Sequence, residues 1–366
     1  MPLLLALFGL SGAAALLHQV VWFRVLTLGL GSSVQAAAAV LAGFMAGLAA
    51  GSVAGGHGAD RLRSTHDRWV TLAAIEALTA ASALGLLLVL PGIRGVPVAM
   101  LALALPAAGM GATAPLVIRL AAVHGDRAPR LATLMAVNTA GAMIGVIAAA
   151  LWLVPGIGLR LSGSTAAGLN LIVAMGATAM GLRSRIATPD DLHETPEAMA
   201  PAAGRRTESP LLLLFAAVVS GFATFALEII WLRVLSAILL RPTVYTFAVV
   251  LTAVLAGLTA GGLCAAPGIR RARDWTSWVA GAYVAAAAAV IASTHVLAFS
   301  LSGSTWPWVL AAAFAGMAAT ASALGFGLPI VMAARIQAGR AGEPGRRAGA
   351  LLAADVAAAV AGALLA

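Results

Sequence analysis

Three carboxylates and one imidazole sit inside runs of apolar sequence: Glu76, Glu228, Asp355 and His18. A charged side chain at the centre of a bilayer costs roughly 2.5–3.5 kcal/mol on insertion scales, so such groups are functional candidates, each in need of a partner. The sharpest case is "FATFALEIIWLRVLSAIL", residues 222–239, where Glu228 and Arg233 are the only charges. Five residues of helix advance about 7.5 Å and turn about 140°, so this pair cannot meet on one helix. Glu228 must find its partner on another helix, either as an ion pair or hydrogen bond between elements or as a desolvated carboxylate for cation binding or proton coupling. His18, beside Gln19, adds a group able to exchange a proton near neutral pH. Arg24 and Arg233 either pair across helices or reach the outer interface beside Trp22 and Trp231.

Such side chains need elements that can hold them in hydrocarbon. The 366 residues are 61% hydrophobic and only 10% charged, where soluble domains carry about 25% charged residues. Mean hydropathy is +1.00. A polytopic membrane protein is the class this composition permits. All 22 basic residues are Arg, and the net charge of +9 follows topology and not a nucleic acid, because the Arg residues fall between apolar runs. The single cysteine, Cys264, excludes an intramolecular disulfide or a cysteine-based metal cluster.

A span needs about 20 apolar residues. Eleven fit: roughly 2–29, 33–56, 69–90, 96–121, 131–154, 163–182, 210–239, 243–266, 275–298, 306–334 and 348–366. Seventeen of the 22 Arg lie in or beside loops after even-numbered helices, which puts those loops and the N-terminus on the cytoplasmic side of a bacterial-type inner membrane. Glu76 is expected one turn into helix 3, near that face, and Asp355 just beyond Arg346 and Arg347. The polar stretch from Arg183 to Ser209 reads as a flexible linker.

The chain repeats itself. "SGAAALLHQVVWFRVL" (11–26) aligns with "SGFATFALEIIWLRVL" (220–235) at an offset of 209, and "VQAAAAVLAGFMAGLAAG" (34–51) aligns with "VYTFAVVLTAVLAGLTAG" (244–261). "GATAPLV" (111–117) then echoes "GFGLPIV" (325–331), and "AVNTAGAMIG" (136–145) echoes "AADVAAAVAG" (353–362). Gln19 thus corresponds to Glu228, and Asn138 to Asp355. A unit of six helices is even, so both copies share one orientation. The expected organisation is a first repeat over 1–183, a cytoplasmic linker over 184–209, and a second repeat over 210–366 that lacks its last helix, as in a truncated chain or fragment. If the halves face one another, Glu228 meets Gln19 near the axis, and a cross-pair of Glu228 with Arg24 is within reach. Glycines 43, 47, 51 and 55 line one face of helix 2 for close packing. No Walker loop, dinucleotide fingerprint or Ser/His/Asp arrangement is present, so no catalytic residue, cofactor or metal is assigned.

"LSGAAALLHQVVWFRVL", the "GSSVQAAAAVLAGFMAGLAAGSVAGGHGADRL" that follows, "LPAAGMGATAPLV" and "AVNTAGAMIGV" resemble the membrane portion of the fused major facilitator/spermidine synthase-like family. His18-Gln19 stands where that family has an aromatic residue and Glu, and no stretch of these 366 residues resembles its aminopropyltransferase-like domain. "GHGADRLR" (56–63) is similar to the helix 2–3 signature of major facilitator transporters, with Arg63 replacing a glycine; the resemblance implies that Asp60 and Arg61 stabilise the cytoplasmic gate. The combined reading is an all-α, major-facilitator-like bundle that moves a small polar or cationic solute, a polyamine among them, by alternating access. The alternative is a non-transporting anchor or scaffold for a synthase-like domain or partner protein. The expected partners are the lipid bilayer and that solute, with no nucleic acid. Candidate solute- or proton-binding residues are Glu228, Gln19, His18, Arg24, Arg233, Glu76, Asp355 and Asn138.

Overall fold

The computed structural model describes residues 1–30, 34–121, 127–186, 209–238, 244–271, 275–303, 306–337 and 344–365. They form eleven helices: α1 (Pro2–Leu30), α2 (Val34–Arg61), α3 (Thr65–Val89), α4 (Val96–Ala121), α5 (Arg127–Ala148), α6 (Val154–Ile186), α7 (Pro210–Ile238), α8 (Val244–Arg271), α9 (Trp275–Gly303), α10 (Trp306–Gln337) and α11 (Pro344–Leu365). Nine stretches among them are long and apolar enough to cross a membrane, one of which, Arg130–Arg185, carries both α5 and α6. The chain is a multi-pass membrane protein. In hydrocarbon the helix satisfies every backbone group within the segment, so the architecture follows from the composition. The expected linker falls mostly on residues 187–208, outside the described residues; α6 extends helically to Ile186.

Local chemistry sets the boundaries. Ser64 caps α3, its Oγ accepting from the Asp67 N–H at 2.9 Å, and Asp67 places negative charge at the positive end of the helix. α5 runs through a π turn, Ala149–Leu153, into α6. The break comes at Gly158, whose φ of 77° only glycine adopts readily.

Helix packing repeats along the chain. α1 packs on α5 as α7 packs on α11, and α2 packs on α4 as α8 packs on α10. The two sets meet through α2–α11 and α5–α8, contacts exchanged by a two-fold relation. This is a bundle of two like-oriented repeats. On α2, glycines 43, 47, 51 and 55 face Met100, Ala104, Ala108 and Ala112 of α4; a Cβ on Gly43 would lie 2.6 Å from the Met100 Cα. In the second set, Gly257 and Gly261 face Ala318 and Ser322 of α10. Packing of small residues substitutes for the hydrophobic driving force that lipid removes. The correspondence reaches single atoms: Gly12 lies against the Asn138 carbonyl and Gly221 against that of Asp355.

Candidate functional site

Glu76 is the best-satisfied buried carboxylate. It lies eleven residues into α3, about three turns, and is 1% exposed. That corrects the placement expected from sequence, because α3 begins at Thr65, ahead of its apolar run. Ser11 Oγ of α1 donates to Glu76 Oε1 at 2.7 Å, Thr113 Oγ1 of α4 donates to the same oxygen at 3.2 Å, and Asn170 Nδ2 of α6 donates to Oε2 at 2.7 Å. Four helices are therefore tied to one carboxylate. The network extends to His18, whose Nε2 is 3.3 Å from Asn170 Oδ1. Since the Asn170 amide N–H serves Glu76, its oxygen accepts, and the proton of His18 sits on Nε2. The His18 ring stacks on Trp22 with centroids 5.1 Å apart.

Sequence reasoning missed Ser11, Thr113 and Asn170 as partners of Glu76. A signal existed for Asn170: it is one of two asparagines in the chain and interrupts "GLNLIV" in an apolar run. The hydroxyls carried no such mark, because Ser and Thr are common inside membrane helices.

Glu228 on α7 is different. It is 2% exposed, and its Oε1 has no hydrogen-bond partner. It lines a crevice with Thr224 and Trp231 of α7, Val254 of α8, and Met317 and Thr320 of α10, with room for roughly one water molecule. The Gln19–Glu228 pair expected from the repeat is not formed: both amide atoms of buried Gln19 lack partners, and Glu228 turns toward α8 and α10 within its own bundle. The Glu228–Arg24 cross-pair is not formed either. Arg24 is five residues nearer the far end of α1 and half-buried, and Arg233 is exposed, so the arginines lie toward the periphery while the acid is sealed.

A third cluster surrounds Asp355 of α11. Its Oδ1 is sealed and without a partner, so the local capping or pairing expected near Arg346 and Arg347 is absent at that oxygen. Tyr283 of α9 lies beside Ser220 and Asp355, and its hydroxyl donates to the Ala216 carbonyl. Tyr283 thus stands to Ser220 as Glu76 stands to Ser11. Asn138, half-buried, holds in α5 the place Asp355 holds in α11. Ser220, Thr224 and Glu228 recur every fourth residue and share one face of α7, so the levels of Asp355 and Glu228 are separated by about 12 Å along that helix.

At the C-terminal end of α2, Asp60 joins three elements. Its Oδ1 lies 3.6 Å from Arg119 Nε of α4 and accepts from the Gly345 N–H at 3.0 Å, and Oδ2 accepts from the Arg346 N–H at 2.6 Å. A carboxylate on the first N–H groups of α11 meets the positive end of that helix. Arg61 is exposed. Asp60→Asn is expected to loosen the α2–α11 seam by about 1.4 kcal/mol, a tenfold shift. The check uses Ala59→Cys, whose buried Cβ lies against Gly345 of α11, in a Cys264→Ser background. Maleimide modification of that thiol should quicken about tenfold; an unchanged rate refutes the role.

At the opposite end, Phe23 of α1 stacks on Phe247 of α8 at 4.2 Å with 13° between the rings.

Two like-oriented sets of helices, crossed through α2–α11 and α5–α8, with buried carboxylates among them, define the class: the fold is that of the major facilitator transporters. Among solved structures, the human organic anion transporter MFSD10 (TETRAN) superposes with a TM-score of 0.62 at 15% identity, over 100% of this chain and 92% of that one. The proton:xylose symporter XylE from E. coli matches at 0.62 and 15% identity, over 98% and 86%. A bacterial homologue of the iron transporter ferroportin matches at 0.58 and 13%, over 99% and 90%. At these identities the likeness shows the fold. No family model and no curated protein matches the sequence.

Proposed function

We propose that this protein is a transporter that carries a small cationic solute across the membrane by alternating access, with Glu228 as the residue that meets the positive charge. The observation that carries this is the Glu228 carboxylate, sealed between α7, α8 and α10 with one oxygen unpartnered. A buried charge without a partner costs several kcal/mol, and a bound cation removes that cost. Asp355 supplies a second oxygen of the same kind, about 12 Å away along α7. That spacing suits an elongated dication of the α,ω-diamine class, polyamines included. The repeat supplies neutral Gln19 and Asn138 at the matching positions, so recognition of charge falls to the second half. Residues 1–183 and 210–366 act as the two moving units, and the protein works in a bacterial-type inner membrane with its N-terminus in the cytoplasm.

The test is uptake into proteoliposomes of octamethylenediamine against propylamine. The wild-type protein is expected to prefer the diamine, and Asp355→Asn to lower that preference about tenfold, the effect of one charge-assisted hydrogen bond. An unchanged ratio rules out the two-point reading. Absence of any transport by the wild type favours the membrane-anchor alternative.

A further inference from the structure

Three side chains carry oxygen onto the crevice at Glu228, and none of them has a proton to give a ligand. Thr224 of α7 and Thr320 of α10 line it together with Glu228, and both are buried. Each hydroxyl directs its one proton to its own helix: Thr224 Oγ1 donates to the Ser220 carbonyl at 2.8 Å, and Thr320 Oγ1 donates to the Gly316 carbonyl at 3.0 Å. A hydroxyl committed in this way offers a ligand lone pairs only. The Glu228 carboxylate is an acceptor by nature, and its Oε1 is sealed without a partner. The remaining walls are apolar, Val254 and Met317 among them, and Trp231 is the one ring among the described residues that line the crevice. The space holds roughly one group of the size of a water molecule.

We propose that this crevice is a pocket for an unsubstituted ammonium group, so that the solute presents a primary amine and N-methylated amines are rejected. The assignment rests on Glu228 being the residue that meets the positive charge, and it adds which kind of cation can do so. A primary ammonium is close to water in size and carries three N–H donors, which Glu228, Thr224 and Thr320 can each accept. Every methyl placed on the nitrogen removes one donor, leaves one buried acceptor unmatched, and asks for room that the packed walls do not provide. Quaternary ammonium groups are held by cages of several aromatic rings, whereas this crevice has Trp231. A divalent metal ion of the hard class takes six or more oxygens, more than these three side chains supply.

The experiment follows uptake of labelled octamethylenediamine by the full chain in proteoliposomes, with three unlabelled competitors. These are the same diamine, its derivative with two methyl groups on each nitrogen, and its derivative with three. Half-inhibition of the wild type by the dimethylated compound is expected to need about tenfold more than by the parent diamine, the effect of lost charge-assisted hydrogen bonds, and the trimethylated compound to inhibit least. Methylation alters both ends of the probe, so substitutions on the crevice localise the effect. Thr320→Val and Thr224→Val each remove an oxygen at nearly constant shape and are expected to lower that ratio about threefold. Thr320→Ser, which keeps the hydroxyl, is expected to retain it. Met317→Ala widens the crevice and is expected to improve inhibition by the dimethylated compound about threefold, a gain that misfolding cannot produce. Diamine uptake inhibited equally by all three competitors overturns the ammonium pocket while Glu228 stays the cation contact. A ratio unchanged in both Thr→Val variants overturns it as well. No diamine uptake by the wild type overturns the pocket together with the reading on which it rests.

Discussion

Glu228→Gln is expected to lower cation uptake by about 10–150-fold while leaving the protein folded and inserted. The range is that of a hydrogen bond to a charged group, about 1.5–3 kcal/mol. The substitution keeps the size of the side chain and removes its charge. Insertion does not suffer, because an amide is less costly to bury than a carboxylate, and the first repeat already carries an amide at the corresponding position, Gln19. Uptake of labelled diamine into proteoliposomes, with the reconstituted amount checked by quantitative gel, reads the effect. Wild-type uptake by the variant would remove Glu228 from the mechanism. A variant that loses transport because it aggregates would be recognised by its elution profile, and Glu228→Asp, which keeps the charge, is then expected to recover partial uptake.

Glu76→Leu is expected to act in the opposite sense, on stability more than on selectivity. Three donors converge on this carboxylate from α1, α4 and α6. Removing it strands the Ser11 hydroxyl and the Asn170 amide in a sealed site, while the single Thr113 hydroxyl proton turns to its other acceptor, the Gly109 carbonyl at 3.3 Å. Stranded donors cost about 1–3 kcal/mol each, and hydrogen bonds between membrane helices average about 0.6 kcal/mol; together these set the expected loss at about 2–5 kcal/mol. Glu76→Gln, which retains an acceptor, should lose less than half of that. Unfolding in mixed micelles measures both. A Glu76→Leu protein within about 0.5 kcal/mol of the wild type would show that the four-helix network does not hold the first bundle together.

These two residues show what was legible in the sequence. The fold was, because hydropathy and length mark each helix and the shared Trp and Arg marked the duplication. The importance of an acid inside apolar sequence was legible as well, since cost alone identifies it. Its partner was not. Offset by 209 residues, Gln19 and Glu228 are equivalent positions, and equivalence by duplication says which environment a residue shares and not which residue it touches. Glu228 turns into its own bundle and both amide atoms of Gln19 are without a partner, so the expected pair across the axis does not exist. Glu76 was undervalued for a related reason: the polar start of α3, Thr65–Arg68, left the helix underestimated at that end, and three turns of burial read as one. The donors that satisfy it come from α1, α4 and α6, at separations of 37 to 94 residues, and no local pattern signals a contact of that range.

The two ends of the bundle are fastened by different chemistry. Asp60 holds α2 to α11 through charge and backbone N–H groups, whereas Phe23 and Phe247 hold α1 to α8 through apolar ring faces. Cooling weakens the second kind of closure, while the first, with the Asp60 and Arg119 side chains nearly buried, is screened little by salt. Temperature therefore acts unevenly on the two ends of the same molecule: a cold step loosens the α1–α8 end and leaves the α2–α11 end in place.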